Sequence, residues 1–409
     1  MMEQEISRVM ERYIEDRELP GAALIVRKND EIVYNCKWGY SNIDEKKPIT
    51  DSSIFRIASM TKCVTAVGIM QLVEQGKISL DDPVSKFISS FSDMRVANDP
   101  RYRLDNLNAE NYKKYIARAL MRLPFFRMDK VKSVPADRHI TIRDLLSHAS
   151  GLEQGMVGFF GMLKMKGEND TLAERAERYS KFVLDFQPGT NTGYSPLASF
   201  DLLAHIIELV TGESASEYLK GNVFEPLEMK DATFWPNEEQ RSRIVRLYKR
   251  KGEKLIDVTE SKKANLYGIA RLGKQGVYTS GSGGLFCTIN DFDNFARMLY
   301  NEGSFNGKQI MKPETVRLMQ TEAQEKHLEP QPGHVWGLSV SIRQDPERAK
   351  SFATAGTYGW SGHFGSHFFI SPADKVQAVF MINCAQTDST GASFLEKVEE
   401  LVFGVFRNK

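Results

Sequence analysis

Two hydrophobic rhythms run along this chain, and they occupy different stretches of it. At the start, Ile6, Val9, Met10 and Tyr13 recur at helical spacing among charged residues, which predicts an amphipathic helix. "AALIVR" and "EIVYNCKWGY" then read as two strands, with "KND" between them as a hairpin signal. A long apolar run follows "IASMTK" and predicts a helix over 59–75 that stops at Gly76. "SLDDPVSKFI" opens a short new segment, with Asp81 or Asp82 as cap and Pro83 in the first turn. Residues 90–135 are polar and charged. They read as an insertion, part loop and part helix, the helix falling in "NYKKYIARALMRLPFF".

"TIRDLLSHASGL" (141–152) predicts a short helix capped by Thr141, with Asp144 three residues on, and ended by Gly151. Residues 195–214 show helical periodicity through Leu202, Leu203, Ile206, Ile207 and Val210, closed by Gly212. From about residue 275 the pattern changes. "GSGGLFCTINDFDNFARML" joins a glycine-rich turn and a short strand to a helix starting near Asn290 or Asp291. "VWGLSVSI", "HFFISP" and "KVQAVFMINC" are strand-like, and "SFLEKVEELVFGVF" is a closing helix.

Strands therefore come from both ends and helices from the middle. The fold class this predicts is α/β of the α+β type: one antiparallel sheet built from both termini, flanked by helices, with a mostly helical lobe inserted. The expected units are a discontinuous sheet domain, 1–58 with 270–409, and a helical domain, 59–269, carrying the insertion at about 90–135. The active site is expected between them.

Composition narrows the function classes. With 54 basic against 53 acidic residues the net charge is +1, and no basic stripe points to nucleic acid. No stretch approaches the roughly 20 apolar residues that span a bilayer. The first residues carry Glu3, Glu5, Glu11, Glu15 and Asp16 where a secretory leader would be apolar. Cys36, Cys63, Cys287 and Cys384 are far apart with no CxxC, which reads as free thiols and a cytoplasmic setting.

In "IASMTK", Ser59 and Lys62 are three residues apart, and a helix stacks such positions about 5 Å from each other. A serine in the first turn faces unpaired N–H groups and the positive end of the helix. Burial beside that positive end disfavours a charged amine, so Lys62 can accept the Ser59 proton; a helix cap followed by a solvated lysine fits the same spacing.

"FRIASMTKCVTAVGIMQLVEQGKISLDDPV" resembles the nucleophile segment of the serine β-lactamase/penicillin-binding-protein superfamily, in its class C-like branch, with family VIII carboxylesterases as the nearest group. The resemblance is carried in the same order by the block from Pro20 to Lys62, "ITIRDLLSHASGL", "QPGTNTGYSPLASFDLLAHIIELVTGES", "SGSGGLFCTINDFDNFARML" and "YGWSGHFGSHFFISP". It implies a β-lactamase/transpeptidase-like fold and a catalytic set of Ser59, Lys62 and Tyr194, the tyrosine from "GTNTGYSPLA". Lys62 and Tyr194 would act as one coupled base. It also implies an oxyanion hole from the backbone N–H groups of Ser59 and His363. Trp360, Ser361, Gly362 and Ser195 would bind substrate.

Two departures from the lactamase pattern set the expected substrate. Pro196 stands where an asparagine would hold a substrate amide, and proline cannot donate. Trp360 stands where a lysine would meet a carboxylate, and offers an apolar wall instead. The expectation is thus a serine hydrolase acting through an acyl-enzyme, a carboxylesterase on short or medium acyl esters. A β-lactamase, a D-amino-acid peptidase, an acyltransferase and a catalytically silent scaffold are the alternatives. The expected partner is a small-molecule ester or amide, and no oligomeric state is implied.

No cofactor and no metal are expected. His363 and His367 in "HFGSH" would lie on one face of a strand but roughly 13 Å apart. His148, inside "LLSHASGL", reads as a hydrogen-bonded packing histidine. No G-x-S-x-G elbow or P-loop is present.

Overall fold

The computed structural model describes residues 2–99, 101–102, 121, 123–165, 170–261, 278–385 and 390–407. The helix expected in "NYKKYIARALMRLPFF" falls mostly outside these residues, and so does the boundary expected at 270. The two ends of the insertion are tied together by a short antiparallel ladder, Arg95–Ala97 against Ser133–Pro135.

An antiparallel sheet organises the rest. Its strands are β1 (Gly21–Lys28), β2 (Glu31–Asn42), β3 (Lys47–Pro48), β4 (His334–Trp336), β5 (Ser341–Arg343), β6 (Thr357–Ser361), β7 (His367–Ser371) and β8 (Val376–Ile382). They lie in the order β4-β5-β6-β7-β8-β1-β2-β3, so the two ends of the chain meet where β1 pairs with β8. Leu24 of β1 sits opposite Phe380 on one side and Cys36 on the other.

Strand alternation sorts the side chains onto two faces. Ala22, Leu24, Val26, Phe369 and Phe380 pack with Ile6 and Met10 of helix α1 (Met2–Glu15) and with Phe394, Val398 and Val402 of the last helix. Ala23, Ile25, Phe368 and Val379 join the other core, which runs into the helical half. That half is built on α2 (Thr61–Glu74) and α3 (Ala198–Thr211), with α4 (Ile289–Tyr300) lying against β8. The closing helix, α5, spans Thr390–Phe406. Every residue of α2 from Thr61 to Leu72 is buried, which explains the unbroken apolar run. Gly212 ends α3 in a left-handed conformation at φ +80°.

Three local expectations are corrected. "VWGLSVSI" is not one strand but the hairpin β4–β5. Its turn spends the Leu338 and Ser339 N–H groups on the carbonyls of Met319 and Leu146, which takes them out of the ladder. The helix expected over 141–152 spans only Ile142–Leu146. Its Thr141–Asp144 capping box is present, but His148 turns left-handed at φ +54° and Gly151 at φ +79°, so the chain leaves the helix early. His363 and His367 do not share a strand: β6 ends at Ser361, β7 starts at His367, and His363 lies in the turn between them.

Candidate active site

Ser59 enters the site on a tight turn. The strand Ile54–Arg56 pairs with Phe286–Thr288, and the chain then makes a 3-10 turn over Ala58–Met60 that runs straight into α2. Ala58 holds φ +46°, a left-handed conformation that costs a non-glycine residue about 1–2 kcal/mol. Bonds on either side hold it there, from Ile57 N–H to the Leu285 carbonyl and from Met60 N–H to the Ile57 carbonyl, each 3.2 Å.

Lys62 lies one turn on and is completely buried. Its Nζ is 3.4 Å from Ser59 Oγ and donates to the carbonyls of Pro196 (2.7 Å) and Ser282 (2.8 Å). The rings of Tyr194 and Phe200 lie 5.1 and 5.6 Å from it. Among the described residues no carboxylate touches this amine, so its polar contacts are three oxygens, one of them the candidate nucleophile.

Tyr194 comes from the loop before α3 and closes the group, with Oη 2.6 Å from Ser59 Oγ. The loop is fastened from below. His148 Nδ1 accepts the Ser195 N–H at 3.2 Å, and its ring packs against Tyr194, Phe200 and Trp336. Burial and the charge of Lys62 push His148 well below the usual histidine range, so it stays neutral.

Above these groups lies a cleft of about 340 Å³. Its walls include Ser59, Tyr194, Pro196, Trp360, Gly362 and His363, and among the described residues no Lys, Arg, Asp or Glu lines it. Trp360 is wedged against Trp336 (4.6 Å between centroids) and Tyr194 (5.2 Å). Gly362 brings the end of β6 onto the nucleophile turn. A Cβ there would lie 2.3 Å from the Ile57 carbonyl oxygen and 2.2 Å from Ser366 Oγ, so only glycine fits. Among the described residues the Ser59 and His363 N–H groups donate to no protein acceptor. Burial also pushes the His363 imidazole down.

Of the expected substrate contacts, Ser195 is turned away from the cleft and Ser361 borders it with its hydroxyl already bonded. Ser195 is fully buried; its hydroxyl faces Glu153 (3.5 Å) and accepts the Ser199 N–H (3.2 Å), so it does not face the cleft. The reason is local: Ser195 follows Tyr194 directly and points to the opposite side of the loop. Ser361 borders the cleft, but its hydroxyl is bonded to His367 Nδ1 at 2.8 Å. Both side chains stand on the sheet face that carries α5, where His367 Nε2 meets Glu399 at 2.8 Å. Among the described residues no group of His, Cys, Asp and Glu could hold a metal ion.

The sequence reading missed the Ser282 carbonyl, Asp201 and Glu153. Asp201 accepts the hydroxyls of Ser280 (3.0 Å) and Ser282 (2.9 Å), which fixes the glycine-rich stretch over Lys62. Gly281 permits that approach, since a Cβ there would lie 2.4 Å from the Phe200 carbonyl oxygen. "SGSGG" was the available signal. Glu153 had none, because a charged residue after a Gly-Leu turn reads as solvated loop.

A family profile described as Beta-lactamase matches residues 6–398. Esterase EstB of Burkholderia gladioli is 24% identical over 402 residues, covering 94% of this chain and 91% of that protein. The structure of EstCE1, described as a hydrolase with promiscuous acyltransferase activity, superposes with a TM-score of 0.75 at 21% identity and covers 98% of both chains. Unliganded simvastatin synthase (LovD) from Aspergillus terreus, as its selenomethionyl derivative, gives a TM-score of 0.78 at 18% identity over 100% of both chains.

Proposed function

This chain belongs to the beta-lactamase family and is with it a serine hydrolase, and we propose that it is a carboxylesterase acting on short or medium acyl esters through an acyl-enzyme on Ser59. One observation carries the reading. Ser59 Oγ lies 2.6 Å from Tyr194 Oη and 3.4 Å from a buried lysine, at the foot of a cleft that no ionic side chain lines among the described residues. As Ser59 attacks the ester carbonyl, its proton passes to the Tyr194–Lys62 pair. The carbonyl oxygen becomes an oxyanion within reach of the Ser59 and His363 N–H groups. When the C–O bond breaks, the leaving alcohol takes the proton back. Water then gives a proton to the same pair, attacks the acyl carbon, and frees the acid and Ser59.

Trp360 and Pro196 support neutral esters over β-lactams or D-amino-acid peptides, since neither offers a cation or an amide to a charged, amide-bearing substrate. Acyl transfer to an alcohol is the second outcome this cleft permits, because an alcohol can take the place of the water. The two proposed units are the sheet half, 1–58 with 270–409, and the helical half, 59–269, with Ser59 at their junction. The four cysteines are free, three of them buried, which supports a reducing cytoplasmic compartment. Among the described residues no helix is long and apolar enough to cross a membrane.

The test is paired hydrolysis of p-nitrophenyl butyrate and a chromogenic cephalosporin, with Ser59→Ala as control. Ester turnover that vanishes in the variant is expected. Cephalosporin turnover at a comparable rate would overturn the substrate assignment.

A further inference from the structure

The segment that carries Tyr194 is anchored at five consecutive residues. Tyr194 Oη reaches Ser59, the Ser195 N–H reaches His148, and the Pro196 carbonyl accepts Lys62. The Leu197 and Ala198 N–H groups both donate to one oxygen, Oε2 of Glu153, at 2.9 Å each. Leu197 is the N-cap of α3 and has no side chain that can cap, so Glu153 satisfies these helix-end donors from another loop. Glu153 is 7% exposed and sits in a left-handed conformation, φ +59°. The following Gln154 and Gly155 N–H groups are tied to Asp185 at 3.1 and 2.8 Å, which fixes the loop that presents it.

We propose that Glu153 is a positioning residue of the active site: its carboxylate seats the Tyr194–Ala198 segment on Ser59 and Lys62, and protonating it slows acylation. This rests on the assignment of Ser59, Lys62 and Tyr194 as the reacting groups. A charge-assisted hydrogen bond is about twice as strong as a neutral one, so protonation loosens both N–H contacts together. The Tyr194 hydroxyl and the Pro196 carbonyl ride on the same segment and lose their register with it.

The carboxyl titrates where this matters. Burial pushes it up to about 7, against the pull of the Ala198 and Leu197 N–H groups and the charge of Lys62 on α2. Asp201 on α3 raises it further. Tyr179, on the helix Leu172–Tyr179, also faces it and stays a neutral phenol, pushed well above the usual range. Asp185 holds the adjoining backbone, and His148 is neutral throughout.

The test follows both Ser59 labelling by a fluorophosphonate and kcat/KM on p-nitrophenyl butyrate from pH 5 to 9. The wild type is expected to fall by up to about tenfold per pH unit below an inflection near 7 and to level off at the slower rate of the protonated form. Glu153→Gln, which keeps an acceptor oxygen but cannot titrate, is expected to run slow and to lose the inflection near 7; burial pushes Asp185 up to about 6, so an inflection left near that value belongs to Asp185. A Gln variant that keeps the wild-type inflection overturns the proposal. Should that variant not fold, Glu153→Asp keeps a titrating carboxyl one methylene short and must move the inflection; an unmoved inflection overturns the proposal equally. Absence of Ser59 labelling in the wild type at every pH would remove the assignment of the reacting groups, and this proposal with it.

Discussion

Tyr194 Oη lies 2.6 Å from Ser59 Oγ, nearer than Lys62 Nζ at 3.4 Å. The amine already spends two N–H groups on the Pro196 and Ser282 carbonyls, which leaves its third for the Ser59 hydroxyl. Tyr194→Phe removes the nearer acceptor and leaves the ring packing intact. It is expected to lower kcat by about 10²–10⁴-fold with little change in KM. Steady-state kinetics on p-nitrophenyl butyrate decides this, and a kcat within threefold of wild type would transfer the proton-accepting role to Lys62.

Gly362→Ala probes the other side of the reacting carbon. The added methyl would meet Ile57 and Ser366 at 2.3 and 2.2 Å, so the end of β6 must move off the nucleophile turn. The His363 N–H moves with it. The loss of one oxyanion donor predicts a kcat reduced by about 10²–10³-fold. A melting temperature close to wild type, read in the same preparation, separates this from unfolding.

Trp360 decides charge preference in the cleft. It packs on Trp336 and Tyr194, and among the described residues no cation stands in the wall. Trp360→Lys supplies one. The ratio of kcat/KM for a p-nitrophenyl hemisuccinate over the butyrate is expected to rise by at least tenfold, about 1.4 kcal/mol. A ratio that stays put would mean that Trp360 is packing alone.

These sites differ in how visible they were along the chain, and the difference is one of distance. Ser59 and Lys62 share one helical turn, so spacing put them within reach of each other, and the resemblance of the surrounding block made them a catalytic pair. Tyr194 is 135 residues away from Ser59, and only the resemblance of whole blocks brought it in. The sheet was legible because alternation in β1, β2, β7 and β8 is a local property. The β4–β5 hairpin was not, since its turn is made by the carbonyls of Met319 and Leu146. Ser195 and Ser361 were expected at the substrate because each belongs to a motif of the family, beside Tyr194 and beside Trp360. Neighbours in extended chain point opposite ways, which turns the Ser195 side chain away from the cleft, while Ser361 still borders it. Glu153 was invisible, because its burial depends on loops that meet only in the folded chain.

Glu153 also sets a stability slope. Its carboxyl is near 4.5 when exposed and about 7 in the fold, chiefly through burial. A raised carboxyl means that the folded chain binds the proton more tightly. Its contribution is therefore fully present below about 4.5 and is lost as pH rises through 7. The span corresponds to about 3 kcal/mol at most. Glu153→Gln is expected to gain stability relative to wild type as pH goes from 5 to 8, read by urea unfolding at each pH. An equal difference at both pH values would mean that the carboxyl does not titrate in this window.

The Ser361–His367–Glu399 chain looks like a second catalytic set, and its placement argues otherwise. Glu399 on α5 is buried between His367 and the Arg343 guanidinium, with which it forms an ion pair. Burial works against its charge, yet Arg343 and His367 together hold the carboxyl below its usual range. Ser361, His367 and Arg343 stand on the α5 face of the sheet, whereas Trp360 points into the cleft with Tyr194. The chain therefore fastens the sheet to its last helix. Glu399→Ala leaves a half-buried guanidinium without its carboxylate, and the expected cost is about 1–3 kcal/mol of stability, read by urea or thermal unfolding. The same variant, assayed well below its melting temperature, should keep kcat/KM per folded molecule. A loss beyond about tenfold in that quantity, with the melting temperature still above the assay, would place the Ser361 hydroxyl in the reaction itself.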